Sequence, residues 1–167
     1  PYAQTPETRQ SAIEAKGWLA TANQRITPPG YPFFIGQDWT VPYRHDRIDQ
    51  LLAAKPKHDL ASMQAVQADV MSPATVRLLP FLQKALQQAA DSPLTDQVRR
   101  ATQGFDGTMR ADQAAPLVFA AWADELTRGV LGGKLGKDLF GTLYGKRHFR
   151  SSIETIMETN DAAWCGS

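Results

Sequence analysis

Two residues of this 167-residue chain stand where their chemistry could be used, Asn23 and Arg44. Asn23 closes a short apolar run, Trp18-Leu19-Ala20-Thr21-Ala22, and opens a segment broken by prolines. A side-chain amide N–H at the end of a rigid element can donate to an oxyanion that develops on a carbonyl under attack. The same residue also fits a plain turn-former, a common use of Asn. Arg44 opens a stretch of helical pattern, where the helix dipole disfavours a cation. That misfit points to a specific partner, a carboxylate or a carbonyl, with an ordinary surface arginine as the alternative.

The other reactive side chains give less. His45, His58 and His148 are far apart among polar neighbours, which suits surface or capping roles. Asp46, Asp49 and Asp59 lie near Arg44 and Arg47, and ion pairing at helical spacing accounts for that cluster without catalysis. The lone Cys165 excludes a disulfide within the chain and is expected to be a buried thiol, or half of a bridge to another chain. Three His and one Cys cannot build a zinc-finger cage. Gly132-Gly133-Lys134-Leu135-Gly136-Lys137 lacks the spacing and the terminal Ser/Thr of a phosphate loop and reads as a helix-ending turn. His-Glu-x-x-His, Gly-x-Ser-x-Gly and Cys-x-x-Cys signatures are absent.

The elements that must position Asn23 and Arg44 follow from pattern. The run 18–22 is short, apolar and flanked by Gly17 and Asn23, which predicts a buried strand. Residues 26–42 carry Pro28, Pro29, Pro32 and Pro42, which exclude regular helix. They also carry Tyr31, Phe33, Phe34, Ile35, Trp39 and Val41, so this stretch is expected to pack as an ordered extended loop. From Arg44 the pattern is helical, through Ile48, Leu51 and Leu52, and Pro56 ends it. Asp59 is placed to cap a helix with the stripe Leu60, Met63, Val66 and Val70. Ser72-Pro73 reads as cap and first-turn proline of a helix using Val76, Leu79, Leu82 and Leu86, with Pro80 expected to kink or divide it. Leu94–Thr102 is a further amphipathic helix, and Phe105-Asp106-Gly107 a turn. Asp112 is expected to cap a helix through Leu117, Val118, Ala121, Trp122, Leu126 and Val130 that Gly132-Gly133 ends. A last helix is expected over Phe149–Thr159. The fold class is therefore mainly α, a helical segment preceded by a short strand and a Pro/aromatic extended loop. A lone strand needs a sheet to pair with, and that sheet is expected in sequence outside this chain.

Composition adds bounds. Hydrophobic residues are 43% and charged residues 21%, ordinary for a globular chain. The net charge of +1 gives no reason to expect nucleic acid or an anionic membrane as partner. No run approaches the roughly 18 apolar residues of a membrane span, and no signal-peptide pattern opens the chain. There is no fixed-period repeat.

Several segments, in order, match a known pattern. Ala22-Asn23-Gln24-Arg25-Ile26, Tyr31-Pro32-Phe33-Phe34-Ile35-Gly36-Gln37-Asp38-Trp39 and Pro42-Tyr43-Arg44 with Arg47-Ile48 resemble the penicillin acylase family of N-terminal-nucleophile hydrolases. Downstream, Gln67-Ala68-Asp69-Val70 with Ser72, then Phe105-Asp106-Gly107 with Asp112, Ala114-Ala115, Phe119 and Trp122, and finally Trp164-Cys165, are similar too. The likeness runs over residues 17–165. Each motif alone is weak; their order and spacing together are specific.

The resemblance implies an internal segment of a β chain, cut from a precursor whose new N-terminal Ser is the nucleophile, with its α-amino group as base. It implies a parent αββα sandwich, with residues 1–43 belonging to its core and 44–167 forming a helical region. It places the family's oxyanion asparagine on Asn23 and its site arginine on Arg44, which would orient that asparagine. Gln24 stands where the family usually has a second Asn. Relatives often bind calcium; Asp38 is the acid in the loop between Asn23 and Arg44, but it does not fall on the ligand position, so no metal is assigned to this chain. The implied partners are the rest of the β chain, the α chain and an N-acyl small molecule such as a penicillin, an N-acyl-homoserine lactone or a lipopeptide. The implied location is periplasmic or secreted. This chain by itself is expected to be inactive without the nucleophile. The competing reading is a non-catalytic helical interaction module, in which residues 17–43 would pack on the chain's own helices.

Overall fold

The computed structural model describes residues 15–146, 149 and 151–165. They fall into two compact units, one up to Asp69 and one from Val70 onward.

The first unit begins with an extended stretch. Residues 18–23 form no strand; a single parallel bridge joins Gln24 to Thr40. The expected strand lacks a ladder, since no second strand among the described residues offers its backbone. Pro42 then starts α1 (Tyr43–Ala53), and α2 (Leu60–Gln67) follows. Asp59 caps α2 as its position predicts. Its carboxylate accepts from the Ser62 N–H, and Ser62 Oγ accepts from the Asp59 N–H in return. These bonds hold the Asp59 carboxyl well below the usual carboxylate range. His58 is structural, within 3.0 Å of the Leu52 carbonyl and 3.2 Å of the Ser62 hydroxyl.

The described residues of this unit have almost no apolar core. Ala22 is its one buried hydrophobic residue among those described. Leu60 of the expected α2 stripe is 77% exposed, and Met63 and Val70 are also exposed. The aromatic loop is likewise uncovered: Phe34 is 81% exposed, with Phe33, Ile35 and Ile26 also open. The expectation that the loop packs is not met among the described residues.

Polar contacts hold the unit instead. Arg47 meets Asp69 with two parallel bonds of 2.7 and 2.8 Å. Asp49 accepts from Lys16 Nζ at 2.6 Å and from the Trp18 indole at 2.8 Å. The acid–arginine pairs expected at helical spacing therefore do not form; the arginines and Asp49 reach across the chain. The near partners of the other two acids are not arginines: Asp59 pairs with Lys55, and Asp46 lies 3.1 Å from the His45 ring.

The second unit is built around apolar burial. Ser72 caps α3 (Pro73–Gln88), accepting from the Thr75 N–H. The helix runs through Pro80 undivided, because Pro80 and Val76 lie on its exposed face, where water can replace the missing donor. The buried face is Thr75, Leu78, Leu79 and Leu82, so Val76 falls outside the stripe expected for it. After α4 (Pro93–Ala101), a turn brings Gly107 back to the start of α3: the Ser72 N–H donates to the Gly107 carbonyl at 3.0 Å, and the Met109 N–H to the Val70 carbonyl at 2.9 Å. Gly107 has φ +93, and a Cβ there would lie 2.8 Å from Val76 Cγ2, so only glycine fits.

Helix α5 (Ala115–Thr127) has Ala114 as N-cap. Asp112, expected in that role, pairs with Arg110 instead. Leu117 of the expected stripe is 75% exposed, and Phe119 takes its place in the core. Gly132-Gly133 does not stop the helix. It continues through a π turn (Arg128–Gly132) into α6 (Gly133–Leu135) and ends at Gly136, whose φ is +74. Helices α7 (Lys137–Tyr144), α8 (Ser152–Thr159) and α9 (Ala162–Cys165) complete the chain. The last expected helix thus starts at Ser152, three residues later than its pattern suggested. Cys165 is exposed, not the buried thiol expected; His148 lies outside the described residues.

Leu78, Leu79, Leu82, Phe105, Ala115, Phe119 and Ile153 form the main core, and Leu131, Phe140 and Ile156 a second cluster. No helix among the described residues is long and apolar enough to cross a membrane.

Candidate functional site

The two residues singled out by type come together. Arg44, in the first turn of α1, directs one guanidinium nitrogen at two carbonyl oxygens: Nη2 donates to the Ala22 carbonyl and to Asn23 Oδ1, both at 2.9 Å. A cation at a helix start is explained by these acceptors, which outweigh an unfavourable dipole of a few tenths to about 1 kcal/mol.

Asn23 itself has φ +66, the left-handed region that few side chains adopt. Asparagine tolerates it best among residues with a Cβ. The backbone around it is fixed from several sides. The Thr40 N–H donates to the Asn23 carbonyl at 2.8 Å. Thr40 Oγ1 donates to the Ala22 carbonyl at 3.1 Å. The Ala22 N–H donates to Gln24 Oε1 at 2.7 Å. Ala22 and Gln24 are each 7% exposed, although the neighbouring Thr21, Asn23 and Arg25 are exposed.

The arrangement dictates what the Asn23 amide can do. Arg44 has donors only, so the oxygen of the carboxamide must face it. The Nδ2 group therefore points to the other side, and among the described residues no acceptor engages it. A cation on the amide oxygen also polarises the group and makes its N–H a better donor. The result is a fixed, exposed N–H donor on a rigid backbone.

No three His, Cys, Asp or Glu residues among those described are grouped to hold a metal ion. His45 contacts Asp46 at 3.1 Å and lies apart from these bonds.

The residue types single out Asn23 and Arg44 but not the contacts of two residues that hold the Ala22–Asn23 backbone, Gln24 and Thr40, nor the tie of Asp49 to the start of the extended stretch. Gln24 acts through a bond to a residue two positions away and Thr40 through bonds across the intervening loop to Ala22 and Asn23, and no periodic pattern carries either. Asp49 was visible as an acid near arginines, but its partners, Lys16 and Trp18, are more than thirty positions away.

The penicillin amidase family matches residues 1–167. The acyl-homoserine lactone acylase QuiP of Pseudomonas aeruginosa is 32% identical over 134 residues, covering 74% of this chain and 16% of that protein. The acyl-homoserine lactone acylase QuiP of Pseudomonas syringae pv. tomato is 32% identical over 149 residues, covering 83% of this chain and 17% of that protein. The penicillin acylase 2 proenzyme of a Pseudomonas species is 32% identical over 114 residues, covering 68% of this chain and 14% of that protein. The chain thus spans 14–17% of the length of these relatives. No solved structure matches it. With a match along its whole length, the chain belongs to the penicillin amidase family.

Proposed function

We propose that this chain is the part of an amide-hydrolysing acylase that supplies the oxyanion-stabilising amide, Asn23, with Arg44 orienting it. The observation that carries the reading is the 2.9 Å bond from Arg44 Nη2 to Asn23 Oδ1, which leaves the amide N–H free to face a substrate. When a nucleophile attacks an amide carbonyl, negative charge collects on its oxygen. A donor already aimed at that oxygen stabilises the charge without reorganising. The nucleophile, an N-terminal Ser, belongs on this reading to another part of the precursor, so the chain alone is inactive.

The substrate is an N-acyl compound cleaved at its linear amide. The names of the relatives support an acyl-homoserine lactone or a penicillin. The partners are the remaining β chain and the α chain of one precursor, a division supported by the proenzyme name of one relative. The exposed aromatic loop and the lack of an apolar core among the described residues of the first unit also support a larger whole that covers them. They weigh against a free-standing helical module, which would bury residues 17–43 on its own helices. The location is periplasmic or secreted. A calcium ion in the whole enzyme would take its ligands mainly outside this chain.

Asn23→Gly in the complete, processed enzyme tests the reading. Glycine keeps the left-handed backbone and deletes the amide. The expected result is a loss of about 10²- to 10³-fold in kcat, with KM little changed. Unchanged kcat would overturn the assignment.

A further inference from the structure

We propose that Gln24 is a positioning residue for the Asn23 amide, acting by fixing the peptide that precedes it. This rests on the reading of Asn23 as an oxyanion donor.

A non-glycine residue in the left-handed region is held there by its surroundings at a cost of order 1 kcal/mol. Four polar groups of the Ala22–Asn23 dipeptide are taken up by neighbours. Three of them, the Ala22 carbonyl, the Asn23 carbonyl and Asn23 Oδ1, are met by Thr40 and Arg44. All three are acceptors. The fourth, the Ala22 N–H, is a donor, and neither Arg44 nor the Thr40 N–H can serve it. Gln24 Oε1 accepts from it at 2.7 Å. The bond spans the left-handed residue, from position 24 back to position 22, and closes a ring around Asn23.

Burial supports the assignment. Gln24 is one of two buried residues in the described part of the first unit, and the other is Ala22, its own partner. There is no apolar cluster there to bury it. A carboxamide is buried only where its oxygen is paired, and the pairing here is with the turn that presents Asn23. The bridge to Thr40 holds the Gln24 backbone in place as well. Length is specific too, since asparagine would fall one methylene short of the Ala22 N–H.

The test uses the complete, processed enzyme containing this chain, with a chromogenic acyl p-nitroanilide as probe. Gln24→Met keeps size and burial but removes the acceptor, and Gln24→Glu keeps an acceptor oxygen at the same reach. Gln24→Met is expected to lower kcat about tenfold, the scale of one lost hydrogen bond, with KM unchanged. Gln24→Glu is expected to retain most of the rate. In an Asn23→Gly background, Gln24→Met is expected to cost nothing further, because the group it positions is gone.

Equal losses in both backgrounds, or full activity of Gln24→Met in the native background, overturn the proposal. If Gln24→Met fails to fold, Gln24→Asn gives the same comparison: a rate loss supports the proposal and full activity overturns it. If Asn23→Gly alone leaves kcat intact, the oxyanion reading itself fails. A collapse in Asn23→Gly with none in Gln24→Met instead sinks only the role of Gln24.

Discussion

Arg44 and Asn23, twenty-one positions apart, share a 2.9 Å hydrogen bond that fixes which end of the Asn23 amide faces outward. The guanidinium stem rises from the first turn of α1, so the helix rather than the loop sets the direction of the amide. Deleting Arg44 should therefore act on the rate through Asn23. In the complete enzyme, Arg44→Met is expected to lower kcat roughly tenfold, the scale of a hydrogen bond to a charged group at an exposed site. The loss should be smaller than that of Asn23→Gly, which removes the donor itself. Steady-state kinetics on an N-acyl substrate checks this, and a rate equal to the native enzyme's would contradict it.

Asp49 anchors the far end of the same extended stretch, and its contribution depends on pH. The Lys16 ammonium and then the Trp18 indole hold its carboxyl below the ordinary aspartate value. In the unfolded chain the group titrates near pH 4. Its stabilisation is thus full above about pH 4 and is lost as the pH falls through the lowered folded value. Asp49→Asn should lower Tm near neutral pH, and the gap to the native protein should close in acid. Thermal melts across that range decide it; a gap of constant size would mean the ion pair contributes nothing.

Gly107 is expected to be intolerant of any side chain. Gly107→Ala sets a methyl 2.8 Å from Val76 Cγ2 and forces alanine to φ +93. The expected destabilisation is about 2 kcal/mol or more, read as a lower midpoint in urea. Adding Val76→Ala should recover part of it, since space returns while the backbone strain stays. No recovery at all would mean that the clash plays no part.

The sequence made the local signals legible. The caps at Asp59 and Ser72 depend on residues three positions away, and both form as their spacing predicts. Arg44 was legible through its conflict with the helix dipole, and Asn23 through its place at the end of an apolar run. Where a choice depended on partners or backbone geometry that periodicity does not encode, the sequence misled. Trp18–Ala22 has the composition of a strand but no ladder to join among the described residues. Leu60 and Met63 have helical spacing, yet among the described residues nothing covers them. Asp112 sits at a good capping position but Arg110 claims it. Gly132-Gly133 has the composition of a stop, yet the helix passes through a π turn and ends where Gly136 adopts a positive φ.

The contrast between the two units has a consequence for how solvent acts on them. The first is held by Lys16–Asp49 and by the paired bonds of Arg47 and Asp69. Dissolved ions screen such charges. The second is held by leucine and phenylalanine burial, which strongly hydrated salts such as sulfate reinforce. Raising the concentration of such a salt should therefore pull the two halves in opposite directions, loosening the seat of Asn23 while tightening the helices that follow. A single melting temperature would average over these trends, and ionic strength becomes a handle that grips each half separately.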